Sequence, residues 1–485
     1  MRLSLLNLVF LLSAGLFQVN GQSASATNET WNQLSNTYDQ YKYEPITHRR
    51  FKHQDIMDRL ALLRDDFSIR TVGVSNEGRE LKLVSIGNGP VDVLMWSQMH
   101  GNEPTATMAL MDVFAWLEDN ENMPAIKEKL SSSLTMHFIP MLNPDGAQRF
   151  TRRNTQHIDI NRDALRLQTP EGRTLKSIRD SLYADWGFNL HDQGRATTAV
   201  SKPATLSFLA PAYNFEREIN EKREDAMQLI AAMNDQLQNE IPGQVGSYWD
   251  DFEPRAFGDN IQKWGTRTIL IESGGQYKDR EKQQIRKLNY LAIVSSLIWI
   301  ADGSYNSYTV EDYTTIPANT RGMRDLILKN LQLPVSLGGY LTDIAFDYDE
   351  IEDQDRAKYY LSASIEDVGD LSTSSGYIVH DMSGYTISMG KSYDQAFKNT
   401  KALMDYGQSK LLKKGYTNVR VESPDYFAND TYLAVNKELS ASIALSSNPS
   451  LLFHKEGELQ YALINGYLID LSLSDKEIID GKKDL

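Results

Sequence analysis

The sequence predicts an α/β fold over residues 48–302, a mostly parallel sheet with helices on both faces, followed by a smaller α+β domain over residues 308–485. Three observations predict it. Short apolar runs that read as buried strands alternate with longer segments whose apolar residues recur at helical spacing. Several of the runs end in polar residues beside glycine or proline, as strands do at the carboxyl edge of an open sheet, where ligands bind. Beyond residue 307 the pattern changes to segments of period two with a hairpin signal at Lys455-Glu456-Gly457.

The elements follow in order. Met1 to Gly21 has the layout of an export signal: Arg2, an apolar core from Leu3 to Phe17, and small residues before a cleavage point ahead of Gln22. That core is too short to span a bilayer comfortably. Residues 22–47 are polar and are expected to form a loose arm. His53 to Arg64 is spaced as a helix through Ile56, Leu60 and Leu63, and Ile69–Gly73 with Leu81–Ile86 reads as a hairpin around Asn76-Glu77-Gly78. Val91 to Trp96 is a buried strand that turns at His100-Gly101-Asn102-Glu103. Pro104 then opens a helix carrying Ala106, Ala109, Leu110, Val113 and Leu117. Leu134 to Met141 is a strand ending in the turn Asn143-Pro144-Asp145-Gly146. Trp186 to Asp192 is a strand that runs into His191, and Thr266 to Ile271 is one that ends at Glu272-Ser273-Gly274-Gly275. Glu216–Leu237 and Arg280–Ile300 are helices, with a domain boundary expected at Ala301–Asn306. In the second domain Val335–Tyr348 and Leu451–Leu473 alternate, and Ser392–Lys414 is expected to be helical.

Composition narrows the function. The chain has 485 residues and a net charge of −15, which argues against nucleic acid as a partner, because phosphate binding needs concentrated positive charge. There are no cysteines, so disulfides and thiolate metal sites are excluded and any zinc must be held by histidine and carboxylate. His100 and Glu103, three residues apart at a strand-to-helix turn, can both reach one small cation. Arginines cluster at Arg149, Arg152, Arg153, Arg162 and Arg166 in an acidic protein, which suits an anionic substrate group gripped by a guanidinium fork. Glu272, at a strand end beside flexible glycines, is placed for acid/base work. Sequons stand at Asn28-Glu29-Thr30 and Asn429-Asp430-Thr431.

Read in order, His100-Gly101-Asn102-Glu103, Asn143-Pro144-Asp145-Gly146, Arg152-Arg153-Asn154, Asp159-Ile160-Asn161-Arg162, His191 and Glu272 resemble the zinc carboxypeptidases of the carboxypeptidase A/B and N/E kind. The resemblance covers about residues 40–302 and implies a doubly wound α/β fold with a mixed central sheet. It implies one Zn2+ per chain, held by His100, Glu103 and His191, with Asp159 orienting a ligating histidine. Glu272 then matches the general base, Arg152 the group that polarises the scissile carbonyl, and Asn161 with Arg162 the pair that grips the terminal carboxylate. Tyr248, 24 residues before Glu272 (272 − 248), is the candidate for the family's mobile tyrosine. The floor of the specificity pocket is expected near Arg255-Ala256-Phe257-Gly258, and Asp163 departs from the Asn that many relatives carry. The reading is a secreted or periplasmic metallocarboxypeptidase acting on peptides with a free C-terminal carboxylate, without stable membrane insertion once the signal is removed. The alternatives are a zinc deacylase of the aspartoacylase or succinylglutamate-desuccinylase type, and a non-catalytic binding protein on the same scaffold.

Overall fold

The computed structural model describes residues 29–195, 197–440 and 442–483. The expected export signal and the sequon at Asn28 lie outside them. The described chain divides into two compact units. The first runs from the first described residue to Gln193, then Ala204–Gly274 and Glu281–Asn319; the second takes in Gly194–Pro203, Gly275–Arg280 and residues from Thr320 onward.

The first unit is built on an eight-stranded mixed sheet flanked by helices. Its strands are β1 (Ser68–Val74), β2 (Glu80–Gly87), β3 (Val91–Ser97), β4 (Leu134–Ile139), β5 (Trp186–Asp192), β6 (Leu206–Leu209), β7 (Val245–Ser247) and β8 (Arg267–Ser273), in the order β1-β2-β4-β3-β5-β8-β6-β7. The middle four, β4, β3, β5 and β8, are parallel, so their carboxyl ends share one edge. β2 joins β4 antiparallel, and β6 joins β8 antiparallel, which makes the sheet mixed. β3, β5 and β8 are buried almost throughout, as parallel strands covered on both faces must be. The helices α1 (Thr105–Glu118) and α2 (Gln283–Asp302) pack on each other with nearly continuous burial, and Arg286 of α2 pairs with Asp112 of α1 between them. On the other face of the sheet α3 (Phe257–Lys263) packs through Phe257 and Ile261 with Leu94 and Trp96 of β3, and the Phe257 amide meets Asn161.

The loose arm expected at residues 22–47 is corrected over its described part. Residues 29–37 are helical, and Trp31, Leu34, Tyr38, Tyr41 and Ile46 are buried in the main core. Tyr38 Oη donates to Asp112 Oδ2 at 2.9 Å, and Arg286 donates to the Ile46 and Tyr43 carbonyls, so the arm satisfies a buried ion pair. Trp31, Leu34 and Tyr38 follow helical spacing, but short polar stretches between them mask it.

The second unit is an α+β assembly dominated by sheets. One has the order Tyr359–Gly369, Leu341–Glu352, Met323–Gln332, Ser375–Asp381; another Thr386–Met389, Leu451–Lys455, Glu458–Ile464, Tyr467–Asp470; a third Lys391–Asn399, Tyr416–Ser423, Ala434–Val435. The helix expected over Ser392–Lys414 is corrected: Lys391–Asn399 is a strand, and only Thr400–Tyr406 and Gln408–Leu412 are helical. Tyr393 and Phe397, four apart, share a face in a strand as well as in a helix, so their spacing does not choose; parallel pairing with Tyr416–Ser423 does. The short segments at 194–203 and 275–280 are held within this unit by Arg195 to Asp325 at 2.8 Å, Tyr377 Oη donating to the Arg195 carbonyl at 2.7 Å, and Arg280 to Glu350 at 3.5 Å.

Candidate metal centre and active site

The parallel run β3-β5-β8 delivers the candidate residues to one edge. β3 leads into the turn that carries His100 and Glu103, β5 ends at His191-Asp192, and β8 ends at Glu272-Ser273. In the β5–β8 ladder His191 stands opposite Glu272 and Asp192 opposite Ser273. The His100 turn is fixed by Gln98 Nε2 donating to the Gly101 carbonyl at 2.9 Å. It is also pressed against the start of the short helix Pro144–Arg149. A Cβ on Gly101 would fall 2.0 Å from the Gly146 carbonyl carbon, so Gly101 lets the two backbones approach, while a Cβ on Gly146 would run into the Asn143 side chain that caps the helix. Asn143 caps that helix through Gly146 N at 2.9 Å and donates to the Met99 carbonyl, while buried Asp145 accepts from Ser75, Arg79 and the Glu77 amide. The Asn143-Pro144-Asp145-Gly146 motif is therefore the floor on which the His100 turn rests.

His100, Glu103 and His191 converge, with candidate ligand atoms all within 4.8 Å of one another. His100 Nδ1 is 2.8 Å from Glu103 Oε1, and His191 Nδ1 is 2.7 Å from Glu103 Oε2. All three are buried, and no other such group of three occurs among the described residues. The donor set fits zinc: two imidazoles and a carboxylate, with no thiolate and a fourth position left for water or substrate. His100 Nε2 lies 3.0 Å from Asp159 Oδ1, which puts the proton on Nε2 and turns the Nδ1 lone pair inward. Burial lowers the His191 pKa and keeps that imidazole neutral, the form that ligates. Burial pushes Asp159 upward, but the hydrogen bond from His100 and the charge of Arg152 help to outweigh it and hold Asp159 well below the usual carboxylate range.

Of the adjacent Arg152 and Arg153, Arg152 faces this cluster. It donates to Asp159 Oδ2 from Nε at 3.1 Å and from Nη1 to Glu103 Oε1 at 3.2 Å, and its side chain is still 44% exposed. Arg153 turns away to the His157 carbonyl. Glu272 is buried, and no hydrogen bond to its carboxylate occurs among the described residues. Burial and the charges of Glu103 and Asp192 push its carboxyl well above the ordinary range, with Arg152 and Lys282 pulling the other way. The Glu103 charge is one that a bound cation neutralises. Tyr248 is half-buried within electrostatic reach of Glu272, Glu103, Arg152 and Arg162; burial and the two carboxylates raise its phenol.

Asn161 and Arg162 are both engaged. Asn161 Oδ1 accepts from the Phe257 amide at 2.9 Å and so caps α3 from outside. Arg162 Nη1 donates to the Asn161 carbonyl at 2.7 Å, and its Nε lies 3.4 Å from Glu253 Oε2. Asp163 accepts from the Gln168 and Thr169 amides and the Thr169 hydroxyl, so its carboxylate caps a turn. Sequence reasoning missed Glu253, and it missed the bridge among Asp192, Lys282 and Thr105. The signal for Asp192 was its place next to His191; Lys282, in a charged stretch, gave none.

The profile of the zinc carboxypeptidase family matches residues 53–220. Carboxypeptidase SOL1 of Arabidopsis thaliana is 27% identical over 127 residues, covering 23% of this chain and 26% of that protein. Probable carboxypeptidase 2 of Arthroderma benhamiae is 29% identical over 214 residues, covering 42% of this chain and 39% of that protein. The matched stretches thus span well under half the length of these relatives. Among solved structures, a metallo-carboxypeptidase from Burkholderia cenocepacia superposes with a TM-score of 0.43 at 16% identity, over 52% of this chain and 70% of the other.

Proposed function

Since residues 53–220 place this chain in the zinc carboxypeptidase family, we propose that it is an exported enzyme that removes the C-terminal residue from peptides bearing a free terminal carboxylate. One observation carries the reading: the buried His100–Glu103–His191 cluster stands one strand from Glu272, whose carboxylate has no protein partner among the described residues. Bound at that cluster, zinc supplies Lewis acidity and lowers the pKa of water to ~7. Glu272 accepts the water's proton and returns it to the leaving amine; its burial favours the protonated form needed for the second transfer. Arg152, partly exposed and already aimed at the cluster, donates to the oxygen that gains charge at the scissile carbonyl. Arg162 offers a guanidinium fork to the terminal carboxylate, while Asn161 fixes the α3 wall beside it. Export rests on the apolar stretch after Arg2. No helix among the described residues is long and apolar enough to cross a membrane.

The test is a matched pair of blocked dipeptides, one a free acid and one a C-terminal amide, offered to the zinc-loaded protein. Release of the terminal residue from the acid and little from the amide is expected. Equal cleavage of both, or hydrolysis of N-acyl amino acids alone, refutes the exopeptidase reading and moves the site to endopeptidase or deacylase chemistry.

A further inference from the structure

Lys282 is 5% exposed, and lysine is rarely found so buried without a partner. It precedes α2 with φ +54, in the left-handed region that a non-glycine residue adopts at a cost, and it forms no side-chain cap on the helix. Its ammonium turns toward the sheet edge instead. Nζ donates to Asp192 Oδ2 at 3.0 Å and to the Ser273 carbonyl at 2.9 Å. Asp192 Oδ2 also accepts from Thr105 Oγ1 at 2.6 Å, at the first residue of α1, and the Asp192 amide donates to Glu103 Oε2 at 3.2 Å.

This bridge stands where the ladder gives out. Asp192 and Ser273 are the last register pair of β5 and β8, and one more backbone bond, Gln193 N to the Ser273 carbonyl at 2.9 Å, follows. Gly274 then bonds to the Thr205 carbonyl, toward the β6 side. One residue inward on each strand are His191 and Glu272. Beyond the ladder, the ammonium is the side-chain group that joins the two strand ends, and it does so at the residues next to a metal ligand and the proposed base. Through Asp192 it also reaches the Glu103 segment and the start of α1.

We propose that Lys282 is a positioning residue of the reaction, its ammonium clipping the ends of β5 and β8 so that Glu272 stays at working distance from the His100–Glu103–His191 cluster. The role rests on the peptidase reading above. It does not require Lys282 to touch substrate. A displacement of ~1 Å in a catalytic group is enough to cost ~100-fold in rate.

The experiment compares wild type with Lys282→Arg, Lys282→Met and the double variant Lys282→Met/Asp192→Asn, which avoids leaving a lone buried carboxylate. Zinc content, kcat and KM for a free-acid peptide, and the absorption spectrum of the cobalt-substituted protein are measured. The expected result is one zinc per chain throughout, KM within about threefold of wild type, and kcat per zinc down by about 10- to 100-fold in the methionine variants, with Lys282→Arg recovering most of it. An unchanged kcat per zinc in the folded methionine variants, or an arginine variant no better than methionine, overturns the proposal, because a purely structural lysine gives those results. If wild type cleaves no peptide, the peptidase reading fails by itself. Lys282 is then judged by the cobalt spectrum, expected to change in the methionine variants and return in Lys282→Arg; a spectrum identical in all of them overturns its role. Should both methionine forms fail to fold, Lys282→Gln is read in the same way: a lowered kcat per zinc with zinc content and KM kept supports the clip, and an unchanged kcat per zinc refutes it.

Discussion

Glu253 should act as a built-in competitor for the substrate's carboxylate, and Glu253→Gln should therefore tighten binding. Its Oε2 lies 3.4 Å from Arg162 Nε, and Arg255 grips the same carboxylate at 2.9–3.0 Å, which holds Glu253 ionised below the usual carboxylate range. A terminal carboxylate that engages Arg162 must take over that contact. The two side chains are 36% and 30% exposed, and ion pairs in such settings are worth about 0.2–1 kcal/mol. Removing the competing charge should lower KM for free-acid peptides by about 1.4- to 5-fold, the factor those energies convert to at room temperature. The carboxylate is bound alike in ground and transition states, so kcat should change little. Steady-state rates on a free-acid and amide pair, at low and high salt, give the answer. The KM effect should appear with the acid, be absent with the amide, and shrink as salt rises. A higher KM for the acid in Glu253→Gln would mean that Glu253 holds Arg162 in place, and an equal change for acid and amide would detach the residue from carboxylate recognition.

Three further outcomes are expected. Glu272→Gln should keep one zinc and normal peptide affinity while kcat falls by ~10²–10⁴-fold, and near-normal turnover in the zinc-loaded variant removes Glu272 as the base. His191→Ala should lose stoichiometric zinc by elemental analysis, since it deletes one of the three converging ligands; one tightly held zinc in that variant shows the site assignment to be wrong. Asp259, on α3, is raised from 3.8 to about 7, chiefly by burial. The folded state thus prefers the neutral carboxyl, and that contribution is full below about pH 4 and lost as pH rises through about 7. Asp259→Asn should consequently gain on wild type between those limits, by up to about 4 kcal/mol at 1.36 kcal/mol per pKa step, and a difference in melting temperature that stays flat from pH 4 to 8 contradicts this.

The parts of the fold that the sequence made legible are those where burial dictates composition. β3, β4, β5 and β8 are apolar runs because they are covered on both faces; the metal cluster comes from the turn after β3 and from His191 at the end of β5, and Glu272 of β8 stands opposite His191. β6 and β7, at four and three residues, are too short for any periodicity to register, and they are fixed by pairing across the sheet. The arm residues from Trp31 to Ile46 were hidden for another reason. Their burial depends on Asp112 and Arg286, far along the chain, which no local window contains. Spacing alone selects Arg152 over Arg153 in the sequence; the loop points Arg152 at the cluster and Arg153 away, and Lys282 is tied to a partner 90 residues off. In the second unit, Tyr393 and Phe397 fit two periods equally, so the partner strand decided.

The two short segments that belong to the second unit, 194–203 and 275–280, leave their strands three residues after His191 and after Glu272 (194 − 191; 275 − 272). Counting the final step after Asn319, the chain crosses from one unit to the other five times. No single cut therefore separates the two units. An expression product ending at residue 319 would still contain Arg195, Arg280 and their loops but would lack Asp325, Glu350 and Tyr377, to which they are tied. The segment that the family profile matches contains Arg195 but neither Asp325 nor Tyr377, so a fragment cut to it leaves that loop without the partners that hold it.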